Sequence, residues 1–309
     1  MTDLAIRHER LRPLVFAVAY RMLGSVADAE DITQEALLRL LRHTAPIDSP
    51  DAYAVTVTTR LAIDHLRSAR VRRELYVGTW LPEPVLGSDD SANPAVIAEQ
   101  DETLSLAFLA TMERLSPIER AVFLLREVFD YDYETIATVV AKQPANCRKI
   151  LARARTHLRE HRPRFEVSPQ RRDELARRFF SACHGGDLRA LETLLADDVA
   201  FYADGNGRPP AVVAPVVGRP AVARFLLGLF RHADRTGLAV RPRAVNGQPG
   251  ASVIDGQGRL QAVFALHIAD GGVRSIHTVI NPDKLRHLRH GQASEAESPQ
   301  AWPNRQRGG

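Results

Sequence analysis

The sequence predicts a multidomain chain: two all-α domains, the second a helix-turn-helix, followed by an α+β domain. Three observations carry this. Apolar residues recur at three- and four-residue spacing through most of residues 4–161. After Pro163 the pattern changes to short runs between glycine-rich turns. A length of 309 residues exceeds one ordinary domain.

Residues 4–43 read as two helices parted by Gly24 and Ser25, with Leu11, Leu14, Val15, Val18 and Met22 on one apolar face and Ile32, Ala36, Leu37, Leu40 and Leu41 on the other. Asp28 is placed to cap the second, whose first turn is rich in Asp and Glu. A loop with two prolines, 43–50, precedes a third helix over 51–73. Residues 78–100 form a linker, because Pro82 and Pro84 cannot donate backbone hydrogen bonds to a helix. Helical spacing resumes near Asp101, and Ser116 with Pro117 begins a helix carrying Val122, Phe123, Leu125 and Val128. Helices over 133–140 and 144–161 are joined by the turn 141–143.

Beyond Pro163, helices are expected over 171–183, 187–195 and 221–232, and strands over 199–202, 212–217, 240–245, 250–255, 259–269 and 273–280. The expected boundaries are therefore 1–78 and 101–163 for the helical domains, with linkers at 79–100 and 164–172. The α+β domain covers 173–289, and 290–309 is a polar tail expected to be disordered.

The net charge of +4 is unevenly spread. Residues 85–141 carry 3 basic and 11 acidic side chains, and residues 142–164 carry 8 basic and 1 acidic. A compact basic block suits a polyanion. No apolar run reaches the ~18 residues of a membrane span, and the charged N-terminus lacks a signal-peptide core, so a cytoplasmic protein without a membrane partner is expected. Cys147 and Cys183 form no metal-spaced cluster, and neither metal nor cofactor is expected.

The basic block coincides with the helix-turn-helix spacing. Ile136, Ala137 and Val140 face inward from the first helix, and Ile150 and Leu151 anchor the second. That leaves Ala145, Asn146, Arg148 and Lys149 exposed for a DNA major groove, with Arg153, Arg155 and Arg159 placed to reach phosphates.

The upstream half separates this chain from an ordinary repressor. Residues 20–41 resemble the polymerase-binding segment of the extracytoplasmic-function sigma factors, with Asp28, Glu30, Asp31, Gln34 and Glu35 matching its acidic and polar pattern. The resemblance implies that this helix docks on core RNA polymerase, and an acidic face suits a basic partner. Residues 51–73 resemble the segment that melts and holds the −10 promoter element. Tyr53, Thr56 and Thr59 would meet unstacked bases, and Arg60, Arg67, Arg70, Arg72 and Arg73 would hold phosphates. By the same resemblance, which spans about 8–77 and 104–160, the helix-turn-helix reads the −35 element of promoter DNA.

Three motifs point to the subgroup with a fused C-terminal SnoaL-like domain, a cone-shaped fold shared with nuclear transport factor 2. They are Trp80, Leu81, Pro82, Glu83 and Pro84 in the linker; Asp204, Gly205, Asn206, Gly207 and Arg208; and Asn281, Pro282, Asp283, Lys284 and Leu285. Asn206 stands where the subgroup usually has glycine, and asparagine tolerates the left-handed backbone such a turn needs. The resemblance implies that the fused domain contacts the sigma core and regulates it, so no separate anti-sigma factor is obligatory. The Trp80 indole needs a covering surface, and Asp283 and Lys284 are expected in a projecting segment beyond the last strand, free to reach the linker.

Such cones also serve as enzymes, which use Asp, His or Tyr within an apolar cavity. Tyr202, Asp204, His267 and His277 are the candidates, and strand alternation leaves the direction of His267 open. The reading is a non-enzymatic sigma factor, with a small-molecule ligand in the last domain left open. Two alternatives stand beside it: a ligand-responsive helix-turn-helix repressor, and a SnoaL-like enzyme fused to a DNA-binding module.

Overall fold

The computed structural model describes residues 3–44, 47–74, 76–86, 104–159, 167–207 and 214–289. The chain forms two compact units, one of residues 1–76, 88–104 and 108–162, the other of 77–87, 105–107 and 163–309.

In the first unit, α1 (Asp3–Leu23), α2 (Val26–Arg42) and α3 (Pro50–Glu74) bury Leu11, Val15, Ala36, Leu37 and Ala54 against each other. Gly24 makes the α1–α2 turn at φ 65. The cap of α2 is Ser25, not Asp28: its hydroxyl accepts the Asp28 N–H at 3.2 Å, which leaves Asp28 inside the first turn.

Four more helices follow: α4 (Leu106–Met112), α5 (Pro117–Glu127), α6 (Tyr133–Val140) and α7 (Pro144–Arg159). Ser116 and Glu119 form a capping box on α5. Asp132 caps α6 by accepting the Thr135 N–H at 2.7 Å, which holds its carboxyl below the usual range. Ala141 closes α6 in the left-handed region at φ 52. A Cβ disfavours that conformation, so Ala141→Gly should raise stability by about 1 kcal/mol in thermal unfolding.

The two helical groups are not independent bodies. Arg120 on α5 is 2% exposed. Its guanidinium donates to Met22 O, Met112 O and the Glu113 carboxylate, each at 2.7 Å. Arg21 lies over the Phe129 ring at 5.4 Å. The apolar run Ala121–Leu125 that follows Arg120 is buried as well.

The second unit contains a six-stranded sheet: β1 (Leu195–Asp204), β2 (Val216–Val217), β3 (Ala239–Val245), β4 (Gln248–Ile254), β5 (Leu260–Ala269) and β6 (Gly272–Val279), in the order β2-β1-β6-β5-β4-β3. β1 and β6 are parallel and the other pairs antiparallel. Most of the strand expected over 212–217 lies outside this short β2 or outside the described residues. Gly250 lets β4 approach β5, since a Cβ there would stand 2.1 Å from Phe264 O.

Helices α8 (Pro169–Gly185), α9 (Leu188–Leu194) and α10 (Arg219–Thr236) cover one sheet face; a short α11 (Arg286–Arg289) follows β6. Alternation sends Phe201, Ala251, Phe264, Leu266 and Ile276 toward the helices. Phenyl rings fill the space between: Phe179 meets Phe180 edge-on at 5.3 Å, Phe201 meets Phe225 at 4.9 Å, and Phe230 meets Phe264 at 6.4 Å.

His267 and His277 belong to the opposite face, in register with Ser275 and Ala265. His277 stacks on Tyr202 at 5.1 Å. Burial lowers their pKa values from 6.5 to about 4 and about 3, because an imidazolium loses its hydration there. Below pH 6.5 the unfolded chain therefore binds protons that the folded chain refuses, and stability falls as pH falls. At pH 5 the loss should be about 2 kcal/mol per histidine in urea titrations of the full chain. His277→Asn should flatten that profile.

Candidate nucleic-acid interface and linker anchor

The helix-turn-helix presents α7 as its second helix. Cys147, Ile150, Leu151, Ala154 and Leu158 are buried and fix its inner side. Ala145, Asn146, Arg148, Lys149, Arg153 and Arg155 lie on the exposed side. Arg155 is paired with Glu127 of α5 at 2.6 Å, and Arg148 lies over the Tyr133 ring at 4.8 Å. Both cysteines are buried, and that burial pushes the Cys147 thiol up, as it does for Cys183 in α8.

On α2, Asp31 and Gln34 are exposed, while Asp28, Glu30 and Glu35 are half-buried. Glu30 pairs with Arg12 at 2.7 Å, Glu35 with Arg39 at 2.6 Å, and Asp28 stands 3.3 Å from His65. The exposed Leu38 and Leu41 continue this face toward the helix end.

The expected strand-opening residues on α3 divide. Tyr53 is half-buried against His43, with ring centroids 4.8 Å apart, and Thr56 bonds back to Ala52 O at 2.7 Å. Thr59 is a correction: at 1% exposure it cannot meet a base. Its position falls on the inward row with Val55, Ala62, Ile63 and Leu66. Arg67 is exposed and paired with Asp64 at 3.1 Å. The side chains of Arg70, Arg72 and Arg73 lie outside the described residues. Arg60 donates to Thr138 O at 2.7 Å and Val139 O at 3.0 Å, on the last turn of α6. Those carbonyls are the negative end of a helix, a natural seat for a guanidinium.

In the second unit the motifs meet. The Asp204 carboxylate is fully buried; it accepts the Leu81 N–H at 2.7 Å and the Lys284 ammonium at 2.6 Å. The Lys284 ammonium also donates to Leu81 O and lies 4.0 Å over the Trp80 ring. The Asp204 backbone oxygen accepts from Ile280 and Asn281 at 2.8 and 2.9 Å. Lys284 is thus not in a projecting segment; it is 8% exposed, because its charge is what neutralises Asp204. Asp283 remains at the surface, paired with Arg286 at 2.7 Å. Asn206 and Gly207 take left-handed φ values of 51 and 70, so the asparagine accommodates the turn. Arg208 lies outside the described residues.

The remainder of the linker motif is held by residues that sequence reasoning missed. Asn246 accepts the Val85 N–H at 2.9 Å and its own N–H donates to Val85 O at 2.8 Å. The His287 ring lies 2.8 Å from Pro84 O. Leu86 forms an isolated antiparallel bridge with Val245, at the end of the edge strand β3. Pro82 and Leu285 are buried beside these contacts, and Glu83 and Pro282 are half-buried.

Comparisons with known proteins agree with this arrangement. The Sigma-70 region 2 model matches residues 8–72, Sigma-70 region 4 matches 105–158, and the SnoaL-like domain matches 176–280. The ECF RNA polymerase sigma factor SigJ of Mycobacterium tuberculosis is 37% identical over 285 residues, which is 90% of this chain and 91% of SigJ. The chain is an extracytoplasmic-function sigma factor. A second such relative, the probable sigma factor SigI of the same organism, is 36% identical over 281 residues, with 90% of this chain and 93% of SigI covered. The crystal structure of SigJ superposes with a TM-score of 0.75 at 34% identity, covering 90% of this chain and 96% of that one.

This sigma factor therefore joins regions 2 and 4 to a C-terminal SnoaL-like domain. Among the described residues, no helix is long and apolar enough to cross a membrane. The SnoaL-like domain carries an open groove of about 380 Å³ between the start of α8 and the β3–β4 hairpin, lined by Arg172, Arg177, Phe180 and Arg243 among others. Tyr202, His267 and His277 are not among its lining residues.

Proposed function

We propose how this sigma factor divides its work among residues. α2 offers Asp31 and Gln34, flanked by Asp28, Glu30 and Glu35, to core RNA polymerase. α3 offers Tyr53, Thr56, Arg60 and Arg67 to the melted −10 strand. α7 reads the −35 element through Ala145, Asn146, Arg148 and Lys149, with Arg153 and Arg155 on phosphates. The SnoaL-like domain acts as a resident regulator without catalysis, and the protein works in the cytoplasm without an obligatory anti-sigma factor. Phenyl rings filling the helix side of the sheet support the non-enzymatic reading, as does the placement of both histidines on the other face.

The observation that carries this reading is the seat of Arg60. The −10 and −35 elements are centred ~25 base pairs apart, or ~85 Å of duplex at 3.4 Å per pair. A region 2 arginine bonded to region 4 carbonyls cannot serve both elements at once. The free chain is thus a closed state, and promoter binding exchanges the α6 carbonyls for DNA phosphates at Arg60. Anchoring residues 80–86 on the SnoaL-like domain removes them from the span that joins regions 2 and 4, which is how that domain sets the balance.

A crosslinking test separates the steps. With cysteines at Arg67 and Thr138, the free chain should crosslink between regions 2 and 4, and addition of core polymerase and promoter DNA should abolish the product. Persistence of the crosslink in a transcribing complex would contradict the exchange. Asp31→Ala with Gln34→Ala should weaken core binding at least tenfold, or about 1.4 kcal/mol, and leave the crosslink in the free chain intact.

A further inference from the structure

Tyr133 opens α6 and is half-buried. Two guanidinium groups pack on its ring. Arg126 of α5 lies 5.4 Å from the centroid, and Arg148 of α7 lies 4.8 Å from it. Arg126 is itself fixed, donating to Tyr131 O at 2.9 Å and standing 3.3 Å from the Asp130 carboxylate. Among the described residues Arg148 has no comparable anchor on its polar edge: the Glu134 carboxylate stands 3.9 Å from it, at the limit of an ion pair. The ring is thus the platform on which an exposed recognition-helix arginine rests.

We propose that Tyr133 is a positioning residue for base readout, holding the Arg148 guanidinium on its ring face so that its donor edge is free for a guanine. The inference rests on the reading of α7 as the −35 helix. Bidentate contact with guanine O6 and N7 needs a planar fork presented edge-on, and discriminates against other bases by roughly 5- to 150-fold. A long exposed side chain loses rotamer freedom when it makes that contact, and ordering it beforehand removes part of the loss. An exposed cation–π contact contributes about two- to fivefold to such an equilibrium. Stacking uses the guanidinium face and leaves its edge donors unspent, whereas a strong carboxylate partner would consume them.

The test is selection from a promoter library with a randomised upstream element, using the full chain bound to core polymerase, followed by sequencing of the retained DNA. Arg148→Ala should erase preference at one or two adjacent positions. Tyr133→Met, which keeps apolar bulk without a π face, should weaken preference at those same positions about two- to fivefold and leave the others unchanged. Tyr133→Phe should match the parent, and Tyr133→Met should add nothing to Arg148→Ala. Arg148→Lys keeps the charge without the planar fork and should lose the same positions, a check independent of whether the methionine variant folds. Unchanged preference in Tyr133→Met, or an equal loss at every position from a variant with normal thermal unfolding, would overturn the proposal. If Arg148→Ala altered no upstream position, the −35 reading of α7 would itself fall.

Discussion

Lys284→Met is expected to destabilise the SnoaL-like domain by about 3–5 kcal/mol, because it strands a buried carboxylate. Asp204 is fully buried, and without the ammonium its carboxylate retains the Leu81 N–H on Oδ2. The Trp80 indole loses its cation in the same step. The loss should appear as a lower urea midpoint, and as faster hydrogen exchange at the Leu81 amide, well before global unfolding. The double variant Asp204→Leu with Lys284→Met should be less damaged than Lys284→Met alone, since replacing both members of a buried pair by apolar groups is often tolerated. Equal stability of Lys284→Met and the parent would mean that the node does not hold the linker.

A loss of similar size is expected in the first unit for Arg120→Met. Its guanidinium is buried and serves Met22 O, Met112 O and Glu113 together. Removing it leaves two carbonyls and a carboxylate without that donor, a cost of about 3–5 kcal/mol. Helical circular dichroism against urea measures it. Exchange at amides 121–125 should quicken, because α5 would lose its tie to the end of α1.

The architecture was legible because helix spacing, caps and turn residues agreed with one another. The helix-turn-helix was readable to the residue, since Ile136, Ala137, Ile150 and Leu151 must face inward to close it. Thr59 was misjudged because a buried threonine in a helix looks the same in sequence as a more open one; Thr56, half-buried one turn earlier, differs from it only in rotation about the helix. The Lys284 placement was missed in part because a lysine is ordinarily a surface residue. Its pairing with Asp204, 80 positions away, is a tertiary fact. Arg120, immediately before the apolar run Ala121–Leu125, was the readable hint that one arginine had turned inward. Tyr133 gave no such hint, since an aromatic at a helix start is ordinary packing until an arginine is found upon it.

The most direct measurement is run-off transcription with purified core RNA polymerase on a promoter recovered from library selection. It would compare the full chain with a version ending at Arg286 and one ending at Arg164. Polymerase-dependent initiation by the full chain, with an output that changes when the SnoaL-like domain is removed, is the predicted result. No initiation from any version, together with tight polymerase-independent binding to duplex DNA, would contradict the account and favour a repressor.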